Sequence, residues 1–386
     1  MARKQQRNTK DWIYSPEKID FKALGVPDEL EIHCRWMLNC VYFNHVVFNL
    51  DRDAYTPLHS DLLAQVFGRR NLVVPVRRAC LEAGLLEIDG DEANYQPGVR
   101  SLSYRLGPAL RDVKFVRYSI PGKRFADRVA AFRGYKAKNG PLDAVSTHLR
   151  GWVERLRLAP NFEDVIATID DETKRDLARE QTRVIFDDGI VRSKRCEFGR
   201  RFHANTTGLV SEVRHGALSF DGETPLIEID VVNSQPYQLA CIIVQAGVEA
   251  SAFVDDVLTG ELYSRFQEVG GFASRGEAKQ GFFFEVYGQT WRETPIIATL
   301  YPEVATFVRE LKRQRGYKEA PRRMQRRESD VMIDRVCGRL MAEHPEVGII
   351  TCHDSILCQP DDVEIVTSVL RWGLSDNPFQ PQLRVG

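Results

Sequence analysis

The sequence is short of several features that would have decided its class at once. No apolar run approaches the ~20 residues a helix needs to cross a bilayer, so no membrane span is expected. Met1–Asn8, MARKQQRN, is not followed by the apolar core of a secretory signal, so no export leader is expected either. None of the eight cysteines, at 34, 40, 80, 196, 241, 337, 352 and 358, forms a CxxC pair. Cys34 and Cys40, close to His33 and His45, would need a second close pair to build a zinc cluster. There is no excess of charge of either sign: Lys plus Arg number 53 and Asp plus Glu 54. Global charge therefore argues neither for nor against a nucleic-acid partner. Internal repeats and low-complexity tracts are absent. A soluble, reduced, cytoplasmic protein is expected, with 386 residues enough for two or three domains.

What is present has a clear order. Residues 1–30 are polar, carry Pro16 and Pro27, and are expected to form an N-terminal tail leaning on the body. From Glu31 to Leu50 an apolar, aromatic pattern at helical spacing includes Trp36, Met37, Leu38, Val41, Phe43, Val46, Val47 and Phe48. In Tyr55–Phe67, Ser60 is a natural N-cap, Leu62, Leu63 and Val66 have helical spacing, and Gly68 is a stop. A second helix is predicted over Leu72–Ala83, with Arg69, Arg70, Arg77 and Arg78 around it. After Gly84 come a strand from Leu85 to Ile88, a turn at Asp89-Gly90-Asp91, a loop at Tyr95-Gln96-Pro97-Gly98 and a strand Ser101–Leu106. Helix, turn, helix and wing in this order resemble a winged helix, here assigned to residues 31–115. That resemblance implies that the second helix lies against DNA, with Arg77 and Arg78 on phosphates. The same unit also serves protein contact alone.

Residues 116–195 read as helical and charged, with Gly140-Pro141 as a break. One amphipathic helix is expected to carry Trp152, Val153, Leu156 and Leu158, and another Ile166, Ile169, Leu177 and Ala178. Trp291 and Trp372 are expected in the core.

Chemistry is suggested by three later segments. Pro225–Val232, PLIEIDVV, reads as a strand carrying Asp230 near its end, before a helix started by Ser234 and Pro236. Val347–Pro360, VGIITCHDSILCQP, reads as two short buried strands joined by a tight turn at His353-Asp354-Ser355. An aspartate there also serves as an ordinary turn former. Two strand-borne carboxylates are, however, what a pair of divalent cations roughly 3.5–4 Å apart requires. Between them, Arg275–Gly288, RGEAKQGFFFEVYG, places Arg275, Lys279, Phe283 and Tyr287 on one helical row. At 1.5 Å per residue that row spans roughly 18 Å, about enough for a triphosphate at one end and a stacked base at the other. An amphipathic helix with a solvated basic edge has the same pattern.

Together these segments resemble motifs A, B and C of the family A polymerase superfamily. Arg275, Lys279, Tyr287 and Gly288 match its R-x3-K-x7-Y-G, His353-Asp354 its hairpin pair, and Asp230 with Ser234 the D-x3-S of the single-subunit RNA polymerases of phages and mitochondria. Ser234-Gln235 is also similar to the SQ of the DNA enzymes. Gly199-Arg200 with Phe202 resembles the template–primer grip before motif A, although Cys196 stands where an acidic residue or Thr is usual. Gln325, in MQRRESDVM, resembles the Gln-bearing helix ahead of motif C. The resemblance covers about 196–386.

It implies an α+β fold: an antiparallel polymerase palm with compact helical fingers over 196–386 and a reduced, thumb-like 116–195. It implies an Mg²⁺-dependent nucleotidyltransferase using two ions, with Mn²⁺ as a substitute, a DNA template and nucleoside triphosphates. Asp230 and Asp354 would hold the metals, and Arg275 and Lys279 the triphosphate. Tyr287, Ser234 and Gln235 would meet the nucleotide, and with ribonucleotides Tyr287 would sense the 2′-hydroxyl. Arg200, Arg201, Gln325 and His353 would lie along the nucleic acid, with His353 also a satisfied turn residue positioning Asp354. The stretch Arg309–Arg327, with nine Lys or Arg, would face the nucleic acid or form a solvated basic face. Ser355, the motif A spacing and the lack of an acidic sugar gate after Ser234-Gln235 lean toward RNA synthesis or priming. A small DNA polymerase of a phage or mobile element is the near alternative. A DNA-binding replication initiator with an inactive polymerase fold is the distant one.

Overall fold

The computed structural model describes residues 12–48, 54–90, 101–111, 113–137, 142–289 and 294–386. The Asp91 end of the wing turn, the loop at Tyr95–Gly98, the Gly140-Pro141 break and Trp291 lie outside the described residues. The fold is mixed α and β, rich in helix, with small antiparallel sheets. It divides into two compact units: one of residues 1–141, 169–192 and 208–210, the other of 142–168, 193–207 and 211–386. Among the described residues no helix is long and apolar enough to cross a membrane.

The first unit is built on the helix Asp28–Phe48, whose Met37, Leu38 and Val41 are fully buried. Helices Ser60–Phe67 and Val73–Glu82 face it with Val66 and Val76, again fully buried. A three-stranded antiparallel sheet follows in the order Thr56–Pro57, Ser103–Leu106, Leu86–Ile88. The cap of Ser60–Phe67 is His59 rather than Ser60: the imidazole of His59 accepts from the Asp61 amide. Gly68 closes that helix at φ 77°, in the left-handed region open to glycine.

The described part of the segment expected as a tail holds a strand. Trp12–Pro16 is a strand buried at all five residues and pairs antiparallel with Phe115–Ser119. Trp12, Ile13 and Tyr14 supply the apolar surface that holds it there. The segment 116–195 is shared between the units, with its middle, 142–168, in the second. The helix ends at Val153, and Leu158 instead joins a two-residue strand paired with Leu218–Ser219. Ile166 and Ala178 lie on separate helices, Phe162–Ala167 and Glu172–Thr182. The break comes where Asp171 caps the second by accepting from the Lys174 amide.

The second unit carries a four-stranded antiparallel sheet in the order Ile349–Cys352, Ser355–Cys358, Ile227–Val231, Leu383–Val385. Ile229 and its cross-strand partner Ile356 are fully buried, while the alternate positions Glu228 and Asp230 are only partly covered. Period-two alternation thus separates an apolar face from a polar one. Within this unit runs a helix, Glu319–Ser329, that widens to π geometry over Asp330–Cys337 and resumes at Gly338–Glu343.

Candidate active site

Asp230 pairs in register with Ser355, and its neighbour Val231 donates its amide to the Asp354 carbonyl at 3.3 Å. Adjacent strands therefore bring the two carboxylates to one end of the sheet. The turn that presents Asp354 is left-handed at His353, φ 59°, a conformation that burdens any residue with a Cβ. His353 is not the satisfied turn residue expected: its buried Nδ1 has no hydrogen-bond partner among the described residues. Burial and the nearby Arg201 push its pKa down to about 4, so the ring is neutral at pH 7. It meets the His203 ring edge-on, with centroids 5.6 Å apart.

Both carboxylates are held above the usual range. Burial first, then repulsion by Asp354, pushes Asp230 up to about 6, against the pull of Arg384. Burial first, then Glu328, pushes Asp354 up to about 6, against Arg201 and Lys279. Arg384, on the last strand, donates to Asp230 Oδ2 at 2.7 Å. A third carboxylate, Glu228, accepts from Ser355 Oγ at 2.5 Å and lies 2.9 Å from His215 Nε2. Burial would raise its pKa, but His215 and Ser355 together hold it low.

The helix Arg275–Tyr287 is set by Ser274, which accepts from the Glu277 amide at 3.2 Å, while Glu277 accepts from the Ala273 amide at 3.0 Å. The pair differs from a reciprocal Ser-x-x-Glu capping box in that Glu277 takes the amide of the residue before the cap. Ala278, Phe282 and Val286 are fully buried, which leaves Arg275 and Lys279 exposed and Phe283 and Tyr287 half-buried. Arg275 lies 5.3 Å from the centroid of the Tyr263 ring. Phe283 and Tyr287 pack ring to ring at 5.1 Å. Lys279 is one of the two cations that pull the Asp354 pKa down against its burial.

Ser234 and Gln235 open the helix Ser234–Gln245 and meet a group the motifs did not contain, the carboxylate of Glu328. Glu328 is 1% exposed and accepts from Arg201 Nε at 2.7 Å, Ser234 Oγ at 3.1 Å and Gln235 Nε2. Tyr287 donates its hydroxyl to Gln235 Oε1 at 2.8 Å. Arg201, expected on nucleic acid, is thus committed to an internal carboxylate. Arg200 remains exposed, at φ 56°, in a loose pair with Asp330 at 3.6 Å. Gln325 packs directly over Gly199. Around it Ser329 Oγ donates to the Gly199 carbonyl at 2.7 Å, and Arg326 to the Phe198 and Glu197 carbonyls at 3.0 and 3.1 Å.

The basic stretch is not a uniformly solvated face. Lys312 is 3% exposed and donates to the Glu285 carbonyl at 2.6 Å, its pKa pushed down to about 8 by burial. Arg313 pairs with Glu310, Arg322 and Arg323 with Glu319, and Arg327 with Gln245 and Asn377. Trp372 is not core: it is 42% exposed, with Arg339 at 4.2 Å and Arg335 at 5.3 Å from its ring centroid. In the first unit Arg78 is exposed and Arg77 half-buried.

Among the described residues no group of three or more His, Cys, Asp or Glu is arranged to hold a metal ion. The pair Asp230 and Asp354 still fits magnesium, which takes one or two carboxylates and completes its shell with water and phosphate oxygens. The mutual repulsion of the pair is what a divalent cation relieves. No protein-family model matches the chain, and no curated protein matches it significantly.

Proposed function

We propose that this chain is a compact, Mg²⁺-dependent, nucleic-acid-templated nucleotidyltransferase that leans toward RNA synthesis or priming in the reducing cytoplasm. The four-stranded sheet is its palm and Arg275–Tyr287 its fingers helix. The helices and three-stranded sheet of the first unit are read as a winged helix that engages the DNA template. One observation carries the proposal: strand register sets Asp230 beside the Asp354 turn, whose carboxylate is also pulled down in pKa by Lys279 of the Arg275–Tyr287 helix.

Asp230 and Asp354 would hold two magnesium ions, which would supply Lewis acidity to the attacking hydroxyl and to the leaving phosphates. The chain's own residues do the rest. Lys279 and Arg275, solvent-facing cations, bind the triphosphate by charge-assisted hydrogen bonds. Tyr287, pinned by Gln235, lies along the sugar, and Phe283 extends the aromatic surface toward the base. A bond forms between the 3′-oxygen and the α-phosphorus as the bond from the α-phosphorus to the bridging oxygen breaks; pyrophosphate leaves and the hydroxyl proton passes to solvent.

Labelled nucleotides, supplied as ribo and deoxyribo sets on primed and unprimed templates with Mg²⁺ or Mn²⁺, test this. Incorporation is expected and is abolished in a folded Asp354→Asn variant. Failure of the unaltered protein to incorporate either set, or full activity of that variant, overturns the reading.

A further inference from the structure

The hydrogen bonds around Glu328 have a direction, and that direction reaches Tyr287. Glu328 Oε1 accepts from Arg201 Nε at 2.7 Å and is ion-paired with Nη2 of the same guanidinium, also at 2.7 Å. Ser234 Oγ, at 3.1 Å, and Gln235 Nε2 both reach Oε2. Burial raises the pKa of Glu328 against the pull of Arg201, and paired with that guanidinium its two oxygens serve as acceptors. Gln235 therefore has one usable orientation, amide nitrogen toward Glu328 and oxygen away from it. Tyr287 lies at that oxygen, 2.8 Å distant, and must donate its single proton there. Only acceptor capacity then remains on Tyr287 Oη. A sugar meeting it is satisfied by a hydroxyl that donates, which ribose carries at the 2′ position and deoxyribose lacks.

We propose that Glu328 is a positioning residue that fixes this polarity through Gln235 and so makes Tyr287 an acceptor selective for ribonucleoside triphosphates. The inference rests on the reading of Tyr287 as the nucleoside contact. Glu328 lies in the Gln325-bearing stretch MQRRESDVM but is not one of its matched positions, and its link to Tyr287 is made only by the fold.

The test compares rATP with dATP on one primed template, measuring kcat and KM for each, with equilibrium binding of both nucleotides alongside. Glu328→Gln offers Gln235 either a donor or an acceptor, so its amide can invert and the polarity is lost. Because that variant leaves Arg201 without its counter-charge, Gln235→Met is the second probe: it severs the relay and keeps the Arg201–Glu328 pair. The ratio of kcat/KM for rATP over dATP should fall about tenfold in either, mainly through KM for rATP, since one hydrogen bond to a substrate hydroxyl is lost. An unaltered protein that prefers dATP overturns the relay while leaving a polymerase. So does a Gln235→Met protein with unchanged discrimination, or one folded yet dead toward both sugars. No incorporation by the unaltered protein at all is instead the failure of the function proposed above.

Discussion

A methyl group placed on Gly199 would sit 2.4 Å from Oε1 and 2.8 Å from Cβ of Gln325. Gln325 cannot simply swing away, because its own Cβ is one of the atoms met. Gly199→Ala is therefore expected to destabilise the protein by about 1–3 kcal/mol through overpacking. The hairpin carrying Arg200 would also shift away from the Glu319–Ser329 helix. Urea unfolding gives the first effect, and salt-dependent DNA affinity gives the second.

Protonation of the two site carboxylates should be visible in stability. Asp230 and Asp354 have native pKa values of about 6, above the unfolded value of roughly 3.9. The native state then holds protons that the unfolded chain has released. That contribution is complete below about pH 4 and is lost as pH rises through about 6. Metal-free protein should melt lower at pH 7 than at pH 5, by on the order of 1–2 kcal/mol of stability for each carboxylate. Magnesium should raise the midpoint at pH 7, and Asp230→Asn should flatten the pH dependence; scanning fluorimetry across pH reads all three.

Incorporation should follow the opposite slope. Both carboxylates must be ionised to hold cations, so activity at fixed low magnesium rises through about pH 6. Raising the magnesium concentration should move that rise to lower pH, because cation and proton compete for the same oxygens. A profile that ignores magnesium would remove the carboxylates from the reaction.

Lys279→Ala should raise KM for nucleotide about 10–100-fold, the loss of one charge-assisted contact worth ~1.5–3 kcal/mol. The fold should be unaffected, since Lys279 is exposed. Lys279→Arg should recover part of the loss. Nucleotide titrations at saturating template distinguish KM from kcat.

His353→Gly probes the turn. Relief of a left-handed residue with a Cβ should leave stability equal or raise it by about 1 kcal/mol. Incorporation should drop if the ring orients Asp354, and thermal melting with an incorporation assay separates the two effects.

The Arg275–Tyr287 row was readable from sequence because it is local: 3.6 residues per turn fix which side chains share a face. The strand carrying Asp230 and the His353 turn were readable for the same reason, as short apolar runs around polar residues. Glu328 was not. Its partners, Arg201, Ser234 and Gln235, come from distant segments, and nothing in local periodicity says which carboxylate a buried arginine will meet. Its one signal was an acidic residue at the end of a strongly basic run. Arg384 was missed because only strand register places it opposite Asp230. Trp372 was misplaced because a large apolar side chain reads as core, and nothing local shows that it stays 42% exposed beside two arginines.

The π-helical span Asp330–Cys337 has a consequence for anyone recombining this protein. Each residue of an α-helix advances the azimuth by roughly 100°, so trimming one residue to regularise the span would rotate everything beyond it. Glu328 could then keep Arg201, but Arg335 and Arg339 would leave Trp372, and Val336 would lose its seat against Gly373. A chimaera joined within this helix must inherit its irregular winding intact or be joined elsewhere.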